Sequence, residues 1–172
     1  SATAYCEGRY EEARRLGRHG YELFEEIGHR WGVGASLCRI GFAALGLERR
    51  REAKRCFHQA LELAADMNHI PLVLYSLVGM ASFLAEEGEE ALAVELLSLV
   101  EHHPQRPLTY LDNAERWFSG IEERLPGDSL VAARERGGGS DLHATVEAVL
   151  RGQLQDRYPR WSITWRPHPL DR

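Results

Sequence analysis

A chain of 172 residues, 44% hydrophobic and 27% charged, has ordinary globular composition and room for one domain or at most two. Its net charge of −5 disfavours a nucleic-acid footprint. No apolar run approaches the ~18–20 residues needed to span a bilayer, and no secretory leader pattern opens the sequence, so a cytoplasmic protein without a membrane segment is expected. Cys6, Cys38 and Cys56 are odd in number and follow no paired-cysteine motif, which predicts reduced thiols.

In chain order, residues 1–6 read as the stub of a helix, turned by Gly8-Arg9-Tyr10. A second helix follows from Glu11 to Ile27, with Ala13, Leu16, Tyr21, Leu23, Phe24 and Ile27 at helical spacing. Gly28-His29-Arg30 breaks it, and a third helix runs from Trp31 to Gly46. Glu52 to Met67 is the fourth. Asn68 reads as a cap, and Pro71 fits the first turn of a fifth helix that ends near Glu87-Gly88. The sixth spans Glu89 to His102. Thr109 and Asp112 resemble a capping box for a seventh helix ending near Arg124, with Leu111, Ala114, Trp117, Phe118 and Ile121 on one face. Asp128 is placed to cap a short eighth helix to Glu135, Gly137-Gly138-Gly139 reads as a flexible break, and Ser140 is placed to cap a ninth helix to Asp156. From Tyr158 onward three Pro and two Trp exclude a regular helix; Trp161, Ile163 and Trp165 alternate with polar residues and predict an extended segment packed on an apolar groove.

A 40-residue echo runs beneath these elements. Ala13, Ala53 and Ala93 stand at equal spacing, as do Gly8, Glu48 and Gly88; Leu23 matches Leu63, His29 matches His69, Ser36-Leu37 matches Ser76-Leu77, and Gly41 matches Ala81. Such a period predicts stacked helix pairs, at 1–28, 31–67 and 70–103. The fold class expected is all-α: an α-solenoid of about three antiparallel pairs over residues 1–107, a capping region at 108–156 and a tail at 157–172. The first pair enters part-way, so the chain reads as part of something longer. Apolar surface near Ala2, Tyr5 and Leu16 is then left open, where the chain can self-associate.

Residues that could carry chemistry do not converge in the sequence. His102 and His103 are adjacent and point about 100° apart on a helix; His29 and His69 share a link position, which favours a role in the turn. No serine or cysteine has an evident base, and Gly137-Gly138-Gly139-Ser140 lacks the Lys and preceding strand of a phosphate-binding loop. No catalytic group, metal or cofactor is therefore expected. The basic run Arg49-Arg50-Arg51 and the acidic run Glu86 to Glu90 stand on successive turns, either as solvated rims or as opposed charges that help set register.

The pattern Leu37-x-x-Ile40-Gly41, Glu52-Ala53, Phe57 and Ala60-Leu61, echoed by Leu77-x-x-Met80-Ala81, Gly88, Ala93 and Leu97, resembles the tetratricopeptide repeat. The long period, the phrase Glu22 to Gly32, and Ala132-Ala133-Arg134-x-x-Gly137 with Val146 to Leu150 are similar to the C-terminal helical repeats of bacterial STAND-type signalling ATPases and regulators. The resemblance implies a non-enzymatic interaction or sensor region of a larger bacterial regulator. It would bind a peptide, a partner domain or an upstream domain of its own chain through a concave face. The residues at inward positions are Ala35, Cys38, Arg39, Phe42, Tyr75, Val78, Gly79 and Ser82. The alternative is a small-molecule effector sensor that controls a linked ATPase or transcription regulator through the same groove.

Overall fold

The structure, a computed structural model, describes residues 2–106, 118 and 120–153, the side chains of residues 2–7 and Glu122 apart. Every regular element among them is helical. Five helices follow in succession, α1 (Ala2–Glu26), α2 (Arg30–Gly46), α3 (Arg50–Asp66), α4 (Ile70–Glu86) and α5 (Glu90–His102). Three more are shorter: α6 (Ile121–Arg124), α7 (Gly127–Gly138) and α8 (Leu142–Leu150). From α1 to α5 each helix packs on its successor, α2 also meets α4, and α7 lies on α5.

The links are built to one pattern. Gly28, Glu48, Asn68 and Gly88 all have left-handed φ, at 67°, 57°, 51° and 81°. That dihedral turns the next N–H back along the finished helix. His29 N–H reaches the Phe24 carbonyl at 2.8 Å, Arg49 reaches Ala44 at 2.8 Å, His69 reaches Ala64 at 3.0 Å and Glu89 reaches Leu84 at 3.0 Å. These are Schellman closures, which satisfy carbonyls the helix end leaves open. The residue after each left-handed one then becomes the N-cap of the next helix. His29 and His69 do this with the imidazole: Nδ1 accepts from Gly32 N–H at 3.1 Å and from Leu72 N–H at 3.2 Å. Asn68 is thus the left-handed residue that closes α3, and His69 caps α4.

Helix composition decides what each element buries. All of Leu72–Ala85 in α4 is buried, and most of α2 from Gly32 to Leu45 is too. A helix apolar all round must lie inside. Helix α3 is amphipathic and buries Ala53, Cys56, Phe57, Ala60, Leu61 and Ala64. Phe57 sits where α2, α3 and α4 converge. A Cβ on Gly41 of α2 would lie 2.6 Å from its ring, and one on Gly79 of α4 would lie 2.2 Å from it. Both are far inside van der Waals contact, so the ring occupies the space of two absent side chains.

Several sequence expectations are corrected. Residues 1–27 are not a stub and a second helix: α1 runs through Gly8 unbroken. Gly8 lacks the left-handed φ of Gly28 and Gly88, and a glycine inside a helix costs only about 1 kcal/mol against alanine. The Tyr10 ring lies against Gly46 and helps hold α1 across that stretch. Ala13 is exposed, whereas Ala53 and Ala93 are fully buried. The glycines after Arg136 are not a flexible break. Gly137 and Gly138 belong to α7, and Gly137 is buried because a Cβ there would lie 2.1 Å from the Glu95 carbonyl oxygen of α5. Asp128 does not cap α7; Pro126 stands at that position. Asp141 caps α8, its carboxylate accepting from Ala144 N–H at 2.8 Å, while the Ser140 hydroxyl donates to the Arg136 carbonyl at 2.6 Å. Helix α8 ends at Leu150, short of the expected Asp156. Thr109 to Trp117 and the Trp161–Trp165 segment lie outside the described residues, as do the side chains of Ala2, Tyr5 and Cys6.

The two kinds of helical glycine respond oppositely to the same methyl group. Gly8→Ala, with nothing within 4 Å of the new Cβ, is expected to raise stability by about 0.5–1 kcal/mol. Gly79→Ala gains the same propensity yet collides with a fully buried ring, and is expected to lower stability by about 1–3 kcal/mol. Urea unfolding of both variants checks this; equal shifts would mean that Phe57 relaxes freely.

Candidate functional site

The eight residues expected to line a groove stand on α2 and α4, and the packing of these helices decides their exposure. Cys38, Tyr75, Val78, Gly79 and Ser82 are buried, Ala35 and Phe42 are half-buried, and only Arg39 is exposed. They do not form one open face. Phe42 stands edge-on to Phe57 with centroids 5.0 Å apart and lies tilted against Tyr75 at 5.7 Å, so these aromatics join the core cluster. Ser82 donates to the Val78 carbonyl at 2.9 Å within its own helix. Cys38 Sγ lies 3.6 Å from Ser76 Oγ, whose proton goes to the Leu72 carbonyl at 2.8 Å. Burial pushes the Cys38 thiol up to about 12, against a smaller opposing effect of Ser76. A thiol so held is protonated at neutral pH and is no nucleophile.

The charged side chains converge instead between α1 and α3. Arg14 Nε lies 3.0 Å from both carboxylate oxygens of Glu52, and Arg18 Nη2 adds a third contact at 2.9 Å. Glu11 joins Arg14 at 3.6 Å and also pairs with Arg49. The Arg14 and Glu52 side chains are only 15% and 14% exposed, so this pair is not a solvated surface contact. Burial pushes the Glu52 carboxyl up, but hydrogen bonds from Arg14 and Arg18 outweigh it and hold the group below the usual carboxylate range. Sequence reading took Glu52 only as part of the repeat pattern. Its partners stand 38 and 34 residues away, and no local spacing signals them.

Beside this cluster lies a cleft of about 380 Å³. Arg18, Glu22, Arg55 and Gln59 form its polar rim, over a floor that includes Leu37 and Cys56. Tyr21 also lines it and donates to Glu25 Oε1 at 3.1 Å; burial, then that carboxylate, pushes the phenol up. Burial, then the charge of Glu52, pushes the Cys56 thiol up to about 11. Arg55 is exposed on the rim, whereas Arg18 is already engaged by Glu52. The arrangement can take an apolar side chain against the floor and an anionic group at Arg55.

A second cleft, of about 320 Å³, lies between the start of α4, the end of α5 and α8, with His102, His103 and His143 at its edge. His102 Nδ1 is engaged by the Ser98 carbonyl at 2.8 Å. Among the described residues no three His, Cys, Asp or Glu side chains are grouped as metal ligands, and no helix is long and apolar enough to cross a membrane. No protein-family model, curated protein or solved structure matches the chain.

Two measurements test the site chemistry. A carboxylate whose folded-state pKa is lowered stabilises the fold fully above its ordinary value near 4.5, and that contribution is lost as pH falls through the lower folded value. Glu52→Gln is expected to cost about 1–3 kcal/mol at neutral pH, with the gap from the parent chain closing in acid. A gap unchanged with pH in urea titrations would remove the ion cluster as its cause. Cys38 and Cys56 are expected to react with a thiol reagent only as fast as the chain unfolds; rapid labelling of either in native buffer would contradict their burial.

Proposed function

We propose that the chain is a non-enzymatic helical-repeat interaction region, a short α-solenoid similar to tetratricopeptide arrays. It serves a larger bacterial regulatory protein in the cytoplasm by binding a peptide segment or partner domain. The observation that carries this reading is the interval between left-handed links. Residues 28, 48, 68 and 88 recur every 20 residues, and the three helices between them, α2, α3 and α4, are each 17 residues long, in turn apolar throughout, amphipathic and apolar throughout. A chain spending its glycines, caps and ion pairs on repeating one unit is organised for an extended surface, and such surfaces mostly bind. Burial of Cys38, Val78 and Ser82 moves the favoured contact from the α2–α4 face to the α1–α3 cleft. There Arg55 offers a cation beside apolar floor residues, which suits a peptide carrying an acidic residue next to an aliphatic one.

The test is selection of a phage-displayed random peptide library on the whole chain, followed by calorimetry with the selected peptide. One-to-one binding that weakens at least about tenfold in Arg55→Glu, and is unaffected in Arg39→Glu, supports the reading. Loss in Arg39→Glu alone would return the site to α2. Absence of any enriched peptide, together with a thermal shift from a small-molecule library, would replace the reading with an effector sensor.

A further inference from the structure

The cluster between α1 and α3 holds more positive charge than its carboxylates need. Arg14 Nε meets both oxygens of Glu52 at 3.0 Å, and Arg49 pairs with Glu11. Those charges balance, so Arg18 is in surplus. Its Nη2 donates to Glu52 at 2.9 Å, and its side chain is 52% exposed. A guanidinium carries several N–H donors in a planar fork, so this one bond holds Arg18 in place and leaves donors over. Glu52 and Arg55 are three residues apart on α3 and therefore neighbours on one helix face. Glu52 thus fixes the Arg18 head beside the Arg55 position, at the mouth of the cleft of about 380 Å³ that both arginines line. Arg55 is exposed and engages no carboxylate among the described residues. The Cys56 thiol on the floor senses the same convergence: burial and Glu52 push it up, and Arg55, Arg18 and Arg14 each oppose them.

We propose that Arg18 and Arg55 form a clamp for a phosphate monoester, carried on a side chain of the peptide that the cleft binds. This rests on the reading of the cleft as a peptide site and names the chemistry of its anchor. A carboxylate has a single charge and two acceptor oxygens, which one arginine satisfies in bidentate fashion. A phosphoryl group carries about −1.5 to −2 charges at neutral pH and three acceptor oxygens, which call for a second fork. Two arginines on facing helices supply it, and their planar geometry suits phosphate oxygens better than the point charge of lysine. Glu52 opposes the ligand little, because Arg14 already holds both its oxygens. Glu22, one turn beyond Arg18, is the opposing charge of the rim and engages no cation among the described residues. It directs the phosphoryl group toward Arg55, where Gln59, one turn further along α3, offers a neutral amide donor. The floor of Leu37, Ile40 and Cys56 then takes the apolar neighbour.

Calorimetry on the whole chain tests this with the library-selected peptide in two forms, one with its acidic residue and one with phosphoserine in that place. The phosphoserine form is expected to bind at least about tenfold tighter. Arg18→Gln is expected to abolish that gain and to leave the carboxylate form within about twofold, with unchanged circular dichroism because Arg14 still pairs with Glu52. Arg15→Gln, on the same helix but outside the cleft, is expected to change neither form. Equal affinity of the two forms overturns the clamp, as does a gain that survives Arg18→Gln; both leave the peptide reading standing. Phenyl phosphate titrated alone covers the case in which no peptide is selected. Saturable binding that is lost in Arg18→Gln then supports the clamp, removes the peptide reading and makes a small phosphorylated effector the source of the phosphate. No binding of phenyl phosphate in that case overturns both.

Discussion

One aromatic ring sets the spacing of three helices. Phe57 has no exposed surface, and the helices on either side of α3 each present a glycine to it. Ridge-into-groove packing ordinarily keeps helix axes about 8–10 Å apart, with side chains of both partners sharing the gap. Here one side chain fills the gap on behalf of three helices. Because α2 and α4 both close on the same ring, they also meet each other, and the shared core from Cys38 to Val100 follows from that approach. Phe42 and Tyr75 extend the contact outward as a tilted aromatic series, which leaves the facing sides of α2 and α4 with little open surface.

The links fix the other dimension. Each Schellman closure hands its last residue to the next helix as an N-cap, so a reversal is completed without a free loop residue. Glu48 and Asn68 accept the left-handed conformation despite carrying a Cβ, a strain that asparagine bears more easily than glutamate. Ion pairs then stitch link to link. Arg50, beside one link, meets Glu87, beside another, at 3.1 Å, and Arg30 pairs with Asp66. Both pairs are substantially exposed, so they add little energy. The Arg50–Glu87 pair joins one member of the basic run at 49–51 to one member of the acidic run at 86–90, while Arg49 of the first run meets Glu11 and Glu90 of the second meets Arg124.

The helices from Arg30 to His102 were legible because three signals agreed there: apolar periodicity, a turn residue and the repeat. Where one signal stood alone, the reading failed. Gly8 shares the echo with Glu48 and Gly88 but has no closure around it, and α1 continues. The run Gly137-Gly138-Gly139 looks like a linker by composition, yet its first member is the contact point of two helices. The groove residues were assigned from family register, which places Val78, Gly79 and Ser82 inward. Composition said otherwise: no charged residue stands between Pro71 and Ala85, and such a helix has no solvent face to offer. The Arg14–Arg18–Glu52 cluster was illegible because its members are joined only by the stacking of α1 and α3.

The junction of α5 with α7 obeys a different rule from the junctions before it. Between α2, α3 and α4 the contact is apolar, and a ring fills the space left by absent side chains. Between α5 and α7 the contact is backbone and charge. Gly137 lets the helices approach until its own Cβ position would overlap the Glu95 carbonyl. Ser98 Oγ donates to the Arg134 carbonyl at 2.8 Å, and the buried Glu95 carboxylate meets Arg136 at 2.9 Å. A buried carboxylate is tolerated only when paired, so Arg136 is a structural requirement of that approach rather than a surface ornament. Arg136, Gly137 and Ser140 cluster at the end of α7, and the polar side chains they meet stand on the later turns of α5.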